Sequence, residues 1–380
     1  MEYTYITEEK GLESCIDELK DLSSIAVDLE FDKNRYAYGF NLCLLQIFTG
    51  NSCFLIDPIV EKLDIQRLFP IFEDANIQKV VFAFGEDLRL LHSLACFPKN
   101  IFDIAMAAKL LNHLPGSLAA LLNEVLHIEV NKSSQKSNWL KRPLTREQLN
   151  YAAQDVIYLL DLKSSIEKEA VISNKLDWIR QENAAFDKLS YAGIENNHFI
   201  KNKDKNGLSE FEWYLYKEMM TFRETIAEKT GRPSYQVFDK ELIRELALKP
   251  EKITGWGNKK GNYKAFNFNG FKRQLNKILT EAKSLGLSKD KPAKKPLSNE
   301  EAQRVRKERS SLESTKKKYF KPIQKEIIDN YGEHAATLIM GNRIIGLILS
   351  GESDQLKPYQ TKLIKESARQ LGLDISKFFE

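Results

Sequence analysis

Along the first half of the chain, short apolar runs give way to amphipathic stretches. The segments "SIAVDLEF", "LCLLQIFT", "SCFLIDP" and "KVVFAF" are rich in β-branched and aromatic residues and predict strands, the first three in quick succession. Apolar residues then recur at helical spacing in "EDLRLLHSL", "IAMAAKLLNHL", "SLAALLNEVL" and "TREQLNYAAQDVIYLLDLKSSIEKEA". Strands first, then helices alternating with extended pieces, predict an α/β domain around a mixed central sheet over residues 1–195. After the polar stretch "NKDKNGLSE" the pattern turns wholly helical. A compact α unit is expected over 208–287, with Gly231-Arg232-Pro233 and Pro250 as its stop signals. Residues 288–318 hold almost no large apolar side chains and read as a charged linker or a solvated charged helix. Residues 319–380 regain helical spacing and predict a second small α unit.

Composition supports globular cores: 42% of the 380 residues are hydrophobic and 10% aromatic. No apolar run approaches the roughly 20 residues of a membrane helix, so no membrane partner is expected. The start "MEYTYITEEK" lacks the layout of a signal peptide, and Cys15, Cys43, Cys53 and Cys96 form no CxxC pair. A reducing cytoplasm with buried thiols is the expectation. Charge is uneven: residues 1–200 carry 20 Lys and Arg against 29 Asp and Glu, so the overall +4 divides into −9 there and +13 over 201–380. An acidic half is compatible with a cation site and a basic half with a polyanion; drift of surface charge between domains gives the same asymmetry.

Two acids interrupt the first strand. Asp28 and Glu30 are two residues apart, so on a strand they share one face while Val27, Leu29 and Phe31 take the other. Burying that pair is costly unless a cation lies between the charges, and hard divalent cations prefer carboxylate oxygens. An edge strand with one solvated face carries such acids as well. Asp87 stands where the fourth strand passes through a Gly-containing turn into a helix; alone it reads equally as an acid favoured by the helix dipole. Tyr151 and Asp155 in "YAAQD" are one helical turn apart and share a face.

Together these residues form an ordered set: DxE on a strand, Asp at a strand-helix junction, then YxxxD on a late helix. That set resembles the three exonuclease motifs of the DEDD superfamily in its tyrosine-bearing branch, and most closely the ribonuclease D family. "YGFNLCLLQI", "IFDIAMAAKLL" and "NKSSQKSNWLKRPLTREQLNYAAQDVIYLL" resemble the family's surrounding segments in the same order. Two positions depart from the pattern: Phe82 stands where the family commonly has His, and Asn138 where it commonly has Asp. Neither is one of the four acids, so substrate detail is affected more than chemistry. Downstream, residues 208–287 resemble the helical HRDC domain that ribonuclease D shares with RecQ-type helicases, and 319–380 fit the place of a second, degenerate copy.

The resemblance implies a ribonuclease H-like exonuclease fold and a metal-dependent 3′-5′ exoribonuclease releasing nucleoside 5′-monophosphates. It implies two divalent cations, Mg²⁺ or Mn²⁺, held by Asp28, Glu30, Asp87 and Asp155, with Tyr151 orienting the attacking water. A phenol with an ordinary pKa of about 10 is a poor base at neutrality, which favours positioning. Leu29 and Gln46 are candidates for the terminal-nucleotide pocket, Gln46 equally for a satisfied core amide. Lys132 and Arg142 are candidates for phosphate contacts, and Trp139 for base stacking or a structural role. The expected partner is RNA with a free 3′ end, tRNA precursors or other small RNAs, with no obligate protein partner evident. A 3′-5′ DNA exonuclease and a catalytically inactive nucleic-acid-binding scaffold are the competing readings.

Overall fold

The computed structural model describes residues 2–114, 116–130, 134–191, 199–253, 268–290 and 299–379. Six strands, β1 (Thr4–Ile6), β2 (Ser24–Lys33), β3 (Phe40–Phe48), β4 (Cys53–Ile56), β5 (Gln78–Val81) and β6 (Ile101–Asp103), form one sheet in the order β1-β4-β3-β2-β5-β6. β1 runs parallel to β4, β3 antiparallel to β4, and β5 parallel to both β2 and β6. The sheet is therefore mixed, as the order of strand and helix signals requires. Because β2, β5 and β6 are parallel, their C-terminal ends reach the same sheet edge. Ala26 pairs with Val80 and Val81 with Asp103, so Asp28 lies two residues beyond the first pair, level with the end of β5.

Helices α1 (Glu9–Leu19), α2 (Phe69–Glu73), α3 (Gly85–Ser93), α4 (Ile104–Leu110), α5 (Leu118–Leu126), α6 (Arg146–Ile157), α7 (Leu159–Ile172) and α8 (Leu176–Asn183) surround the sheet. Burial of β2 follows the alternation in its sequence: Val27 and Leu29 are buried, whereas Asp28 and Glu30 are partly exposed. α6 starts in a capping box in which Thr145 and Gln148 exchange hydrogen bonds, and it packs on β4 through the small side chains Ala152 and Ala153. The four cysteines are buried and unbridged, and no helix among the described residues is long and apolar enough to cross a membrane.

The chain divides into two compact units. One comprises residues 1–30, 42–192 and 299–380; the other comprises 31–41 and 193–298. In the second unit, α9 (Glu210–Thr230), α10 (Ser234–Val237), α11 (Lys240–Leu248) and α12 (Phe268–Ser284) enclose a core that includes Leu215, Met219, Phe238, Ile243, Phe271 and Leu275. The hairpin tip between β2 and β3 belongs to this unit: Tyr38 N–H donates to the Gly231 carbonyl and the Tyr235 hydroxyl to the Arg35 carbonyl. Asp32 preforms the tip by accepting from the N–H groups of Tyr36 and Ala37.

The last segment of the chain returns to the first unit. α13 (Asn299–Thr315) is exposed along nearly its whole length and runs through a π-helical turn into α14 (Lys321–Tyr331), followed by α15 (Glu333–Met340), α16 (Asn342–Leu349) and α17 (Pro358–Gln370). Phe320, Ile323, Ile339 and Ile364 share one continuous core with Ile104, Ala107 and Ile179. Trp178 lies between Tyr359, stacked at 5.5 Å, and Tyr331, edge-on at 5.4 Å. Buried Glu182 accepts from the Tyr359 hydroxyl at 2.7 Å and pairs with Lys357 at 2.9 Å. Gly332 has a positive φ of 88°, and a Cβ there would lie 2.1 Å from Asn112.

Candidate active site

The site lies where β2, α3 and α6 converge on the C-terminal edge of the parallel strands. One carboxylate oxygen from each of Asp28, Glu30 and Asp155 lies within 4.8 Å of the others. The spacing on β2 supplies the first two, and α6, anchored by its capping box, swings Asp155 over them. Asp87 occupies the first turn of α3 and is 8% exposed. It lies outside that close trio, yet its charge acts on both Asp28 and Glu30.

The electrostatics are those of acids crowded away from water. Burial, then the charges of Asp155, Asp87 and Glu30, push the Asp28 carboxyl well above the usual carboxylate range. Burial and the charges of Asp155 and Asp87 do the same to Glu30. Asp155 is pushed up to about 7 by burial, offset in part by a hydrogen bond from the Tyr151 hydroxyl. Asp87 is likewise raised to about 7, by burial and by the charges of Asp103 and Glu86. The Tyr151 phenol rises well above its ordinary value through burial and the nearby Asp155, Glu30 and Asp28 charges. It is therefore protonated at neutrality and acts as a donor.

Of the candidate substrate contacts, several turn inward. Trp139 is 3% exposed, in the core, with its ring 6.1 Å from that of Tyr151. A buried indole presents no face to a base, so base stacking gives way to support of the Tyr151 ring. Arg142 likewise turns inward: its guanidinium donates to the carbonyls of Trp139 at 2.6 Å and Cys43 at 2.7 Å and to Asp57 Oδ1 at 2.8 Å. Asp57 is fully buried and also accepts from the Tyr5 hydroxyl, so these groups tie the segment before α6 to β1, β3 and β4. The sequence around Arg142 reads as a polar surface stretch because two of its partners, the Cys43 carbonyl and the Asp57 carboxylate, lie 99 and 85 residues away.

Leu29 is 4% exposed, and its backbone N–H donates to Asp28. Gln46 is fully buried, with neither side-chain nitrogen nor oxygen hydrogen-bonded, so it is not a satisfied core amide. Lys132 lies outside the described residues. At the two positions that depart from the family pattern, half-buried Phe82 packs against the core, and Asn138 Oδ1 accepts the Leu140 N–H at 3.1 Å, closing a turn that Asp would close equally well. Asp103 is the residue the sequence did not single out. It ends β6 inside the quoted segment "IFDIAMAAKLL", and its carboxylate binds backbone N–H groups at the junction that precedes Asp87.

Residues 3–170, which include the sheet and its acids, match a family model described as a 3′-5′ exonuclease. The chain is 29% identical over 257 residues to the ribonuclease D of Desulfotalea psychrophila, covering 65% of this chain and 68% of that one. It is 32% identical over 262 residues to the exosome complex exonuclease RRP6 of Saccharomyces cerevisiae, covering 64% of this chain but 36% of that one. The crystal structure of Escherichia coli RNase D, titled an exoribonuclease involved in structured RNA processing, has the same fold with a TM-score of 0.68 at 21% identity, covering 98% of both chains. The chain is thus similar to several bacterial ribonucleases D at 26% to 30% identity. Its matched segments span 60% to 68% of the bacterial ribonucleases D.

Proposed function

We propose that this protein is a metal-dependent 3′-5′ exoribonuclease that removes nucleoside 5′-monophosphates one at a time from RNA with a free 3′ end. The observation that carries the reading is the trio of carboxylate oxygens from Asp28, Glu30 and Asp155 within 4.8 Å on one sheet edge. Their chemistry fits divalent cations of the Mg²⁺ or Mn²⁺ type: every donor is a hard oxygen, and the raised proton affinities mark a cluster short of positive charge. When bound, a pair of such cations supplies charge neutralisation and Lewis-acid assistance to phosphodiester hydrolysis.

The chain's own residues do the rest. Asp28, Glu30 and Asp155 hold the cation site, and Asp87 completes the set from α3. Tyr151, kept protonated and hydrogen-bonded to Asp155, orients the attacking water. Trp139 and Arg142 keep α6 and the phenol in register with the acids. Residues 208–287 act as an HRDC-type module, with 319–380 as a second, diverged copy, and the positive charge of residues 201–318 engages the body of a structured RNA such as a tRNA precursor in the cytoplasm.

End-labelled RNA and DNA of equal sequence, incubated with Mg²⁺ or Mn²⁺, test this. A ladder that shortens from the 3′ end on RNA, and vanishes with EDTA or Asp155→Asn, is expected. Tyr151→Phe is expected to lose on the order of 100-fold in kcat with metal affinity unchanged. Faster digestion of DNA would reassign the substrate, and no digestion of either would sink the proposal.

A further inference from the structure

Helix α3, which carries Asp87, has no cap of its own: Phe84 stands at its N-cap and is buried. The preceding residue, Ala83, has a positive φ of 56°, a left-handed conformation that is unfavourable for an L-residue. Both backbone groups are held from another strand. Asp103 Oδ1 accepts the Ala83 N–H at 2.9 Å and Oδ2 accepts the Phe84 N–H at 3.0 Å. The same carboxylate caps α4, accepting the Ala105 N–H at 2.9 Å, and its own N–H donates to Asn183 Oδ1 at 2.9 Å. Asp103 is 4% exposed and Asn183 5%, and Phe84 is buried beside them, so solvent offers the Phe84 N–H no substitute acceptor.

Resting on the cation-site reading above, we propose that Asp103 is a positioning residue for that site, its carboxylate fixing the junction between β5 and α3 from which Asp87 reaches the other acids. With the carboxylate removed, the N–H groups of Ala83, Phe84 and Ala105 lose their acceptor, that of buried Phe84 without a replacement, and nothing compensates the Ala83 conformation. The first turn of α3 then frays, and Asp87, three residues beyond Phe84, moves with it. Asp103 thus acts on the site without being a ligand, as groups that orient metal ligands do elsewhere, where their loss costs about 10- to 100-fold in affinity.

The test is titration calorimetry of the full chain with Mn²⁺ alone, alongside amide hydrogen exchange of Ala83 and Phe84. Asp103→Ala is the direct variant, and Asp103→Asn, nearly isosteric, keeps one acceptor if the first fails to fold. Asn183→Ala is the control, because it loosens the same corner without freeing Ala83 or Phe84, and Asp87→Asn marks loss of the ligand itself. Asp103→Asn is expected to weaken Mn²⁺ binding about 10-fold or more, and to speed exchange of both amides, with the KM for RNA unchanged and Asn183→Ala near wild type. Wild-type Mn²⁺ affinity in folded Asp103→Asn, while Asp87→Asn is weakened, overturns the role of Asp103 alone. Equal weakening in Asn183→Ala overturns it too, as a general loss of stability. No Mn²⁺ binding by the wild type, or none lost in Asp87→Asn, overturns the cation-site reading and this inference with it.

Discussion

Asp155 binds its proton far more tightly in the folded chain, at about 7, than a free aspartate does at about 3.9. Between those values the folded, metal-free protein holds a proton that the unfolded chain releases, so stability from this group falls as pH rises through the window. Asparagine at the same place carries no charge and still accepts from Tyr151. Asp155→Asn is therefore expected to match the wild type below about pH 4 and to exceed it increasingly up to about pH 8 in urea midpoints measured with EDTA. A gap that does not widen with pH would show that the acids are better solvated than their raised proton affinities imply. Saturating Mg²⁺ should close the gap by stabilising the wild type alone, since binding to the native state adds to its stability.

At the scale of elements, α6 owes its position less to its own sequence than to the segment before it. Arg142 spends its guanidinium on Asp57 and on carbonyls of Trp139 and Cys43. Removing it leaves buried Asp57 with an uncompensated charge. Arg142→Ala is expected to cost about 3 to 5 kcal/mol in denaturant unfolding, and in the folded fraction to leave the salt dependence of RNA binding unchanged. A salt slope reduced by about one would mean that the guanidinium reaches phosphate after all. This element also shows what sequence reveals and what it hides. Strand alternation placed Asp28 and Glu30 on one face, and helical spacing placed Tyr151 and Asp155 on another, because both periods are local. The roles of Arg142 and Asp103 depend on backbone groups 99 and 19 residues away, and that of Trp139 on the ring of Tyr151 beyond a turn, and no local period encodes such pairs.

At the scale of the whole molecule, composition marks where apolar stripes begin and end but not which stripe meets which. The charged run around residues 288–318 reads as a boundary, yet the helices after it share a core with α4 and α8. Cutting the chain after residue 298 would bare Trp178, Ile104 and Ala107 and strand buried Glu182 without Tyr359 and Lys357. The shortened chain is expected to aggregate on size exclusion and to lose nuclease activity. A monomeric, active product would show that the last four helices are dispensable to the fold.

That returning segment also sets an order of events at the ribosome. The α/β part of the nuclease is spelled out early, but its core is completed by side chains more than 300 residues along. The core of the helical unit, translated in between, includes among the described residues no side chain from beyond Leu287. A nascent chain can thus mature its second unit first. The core around α4 and α8 is closed only when α14 to α17 have left the exit tunnel, so a message broken before that point leaves Ile104, Ala107 and Ile179 uncovered.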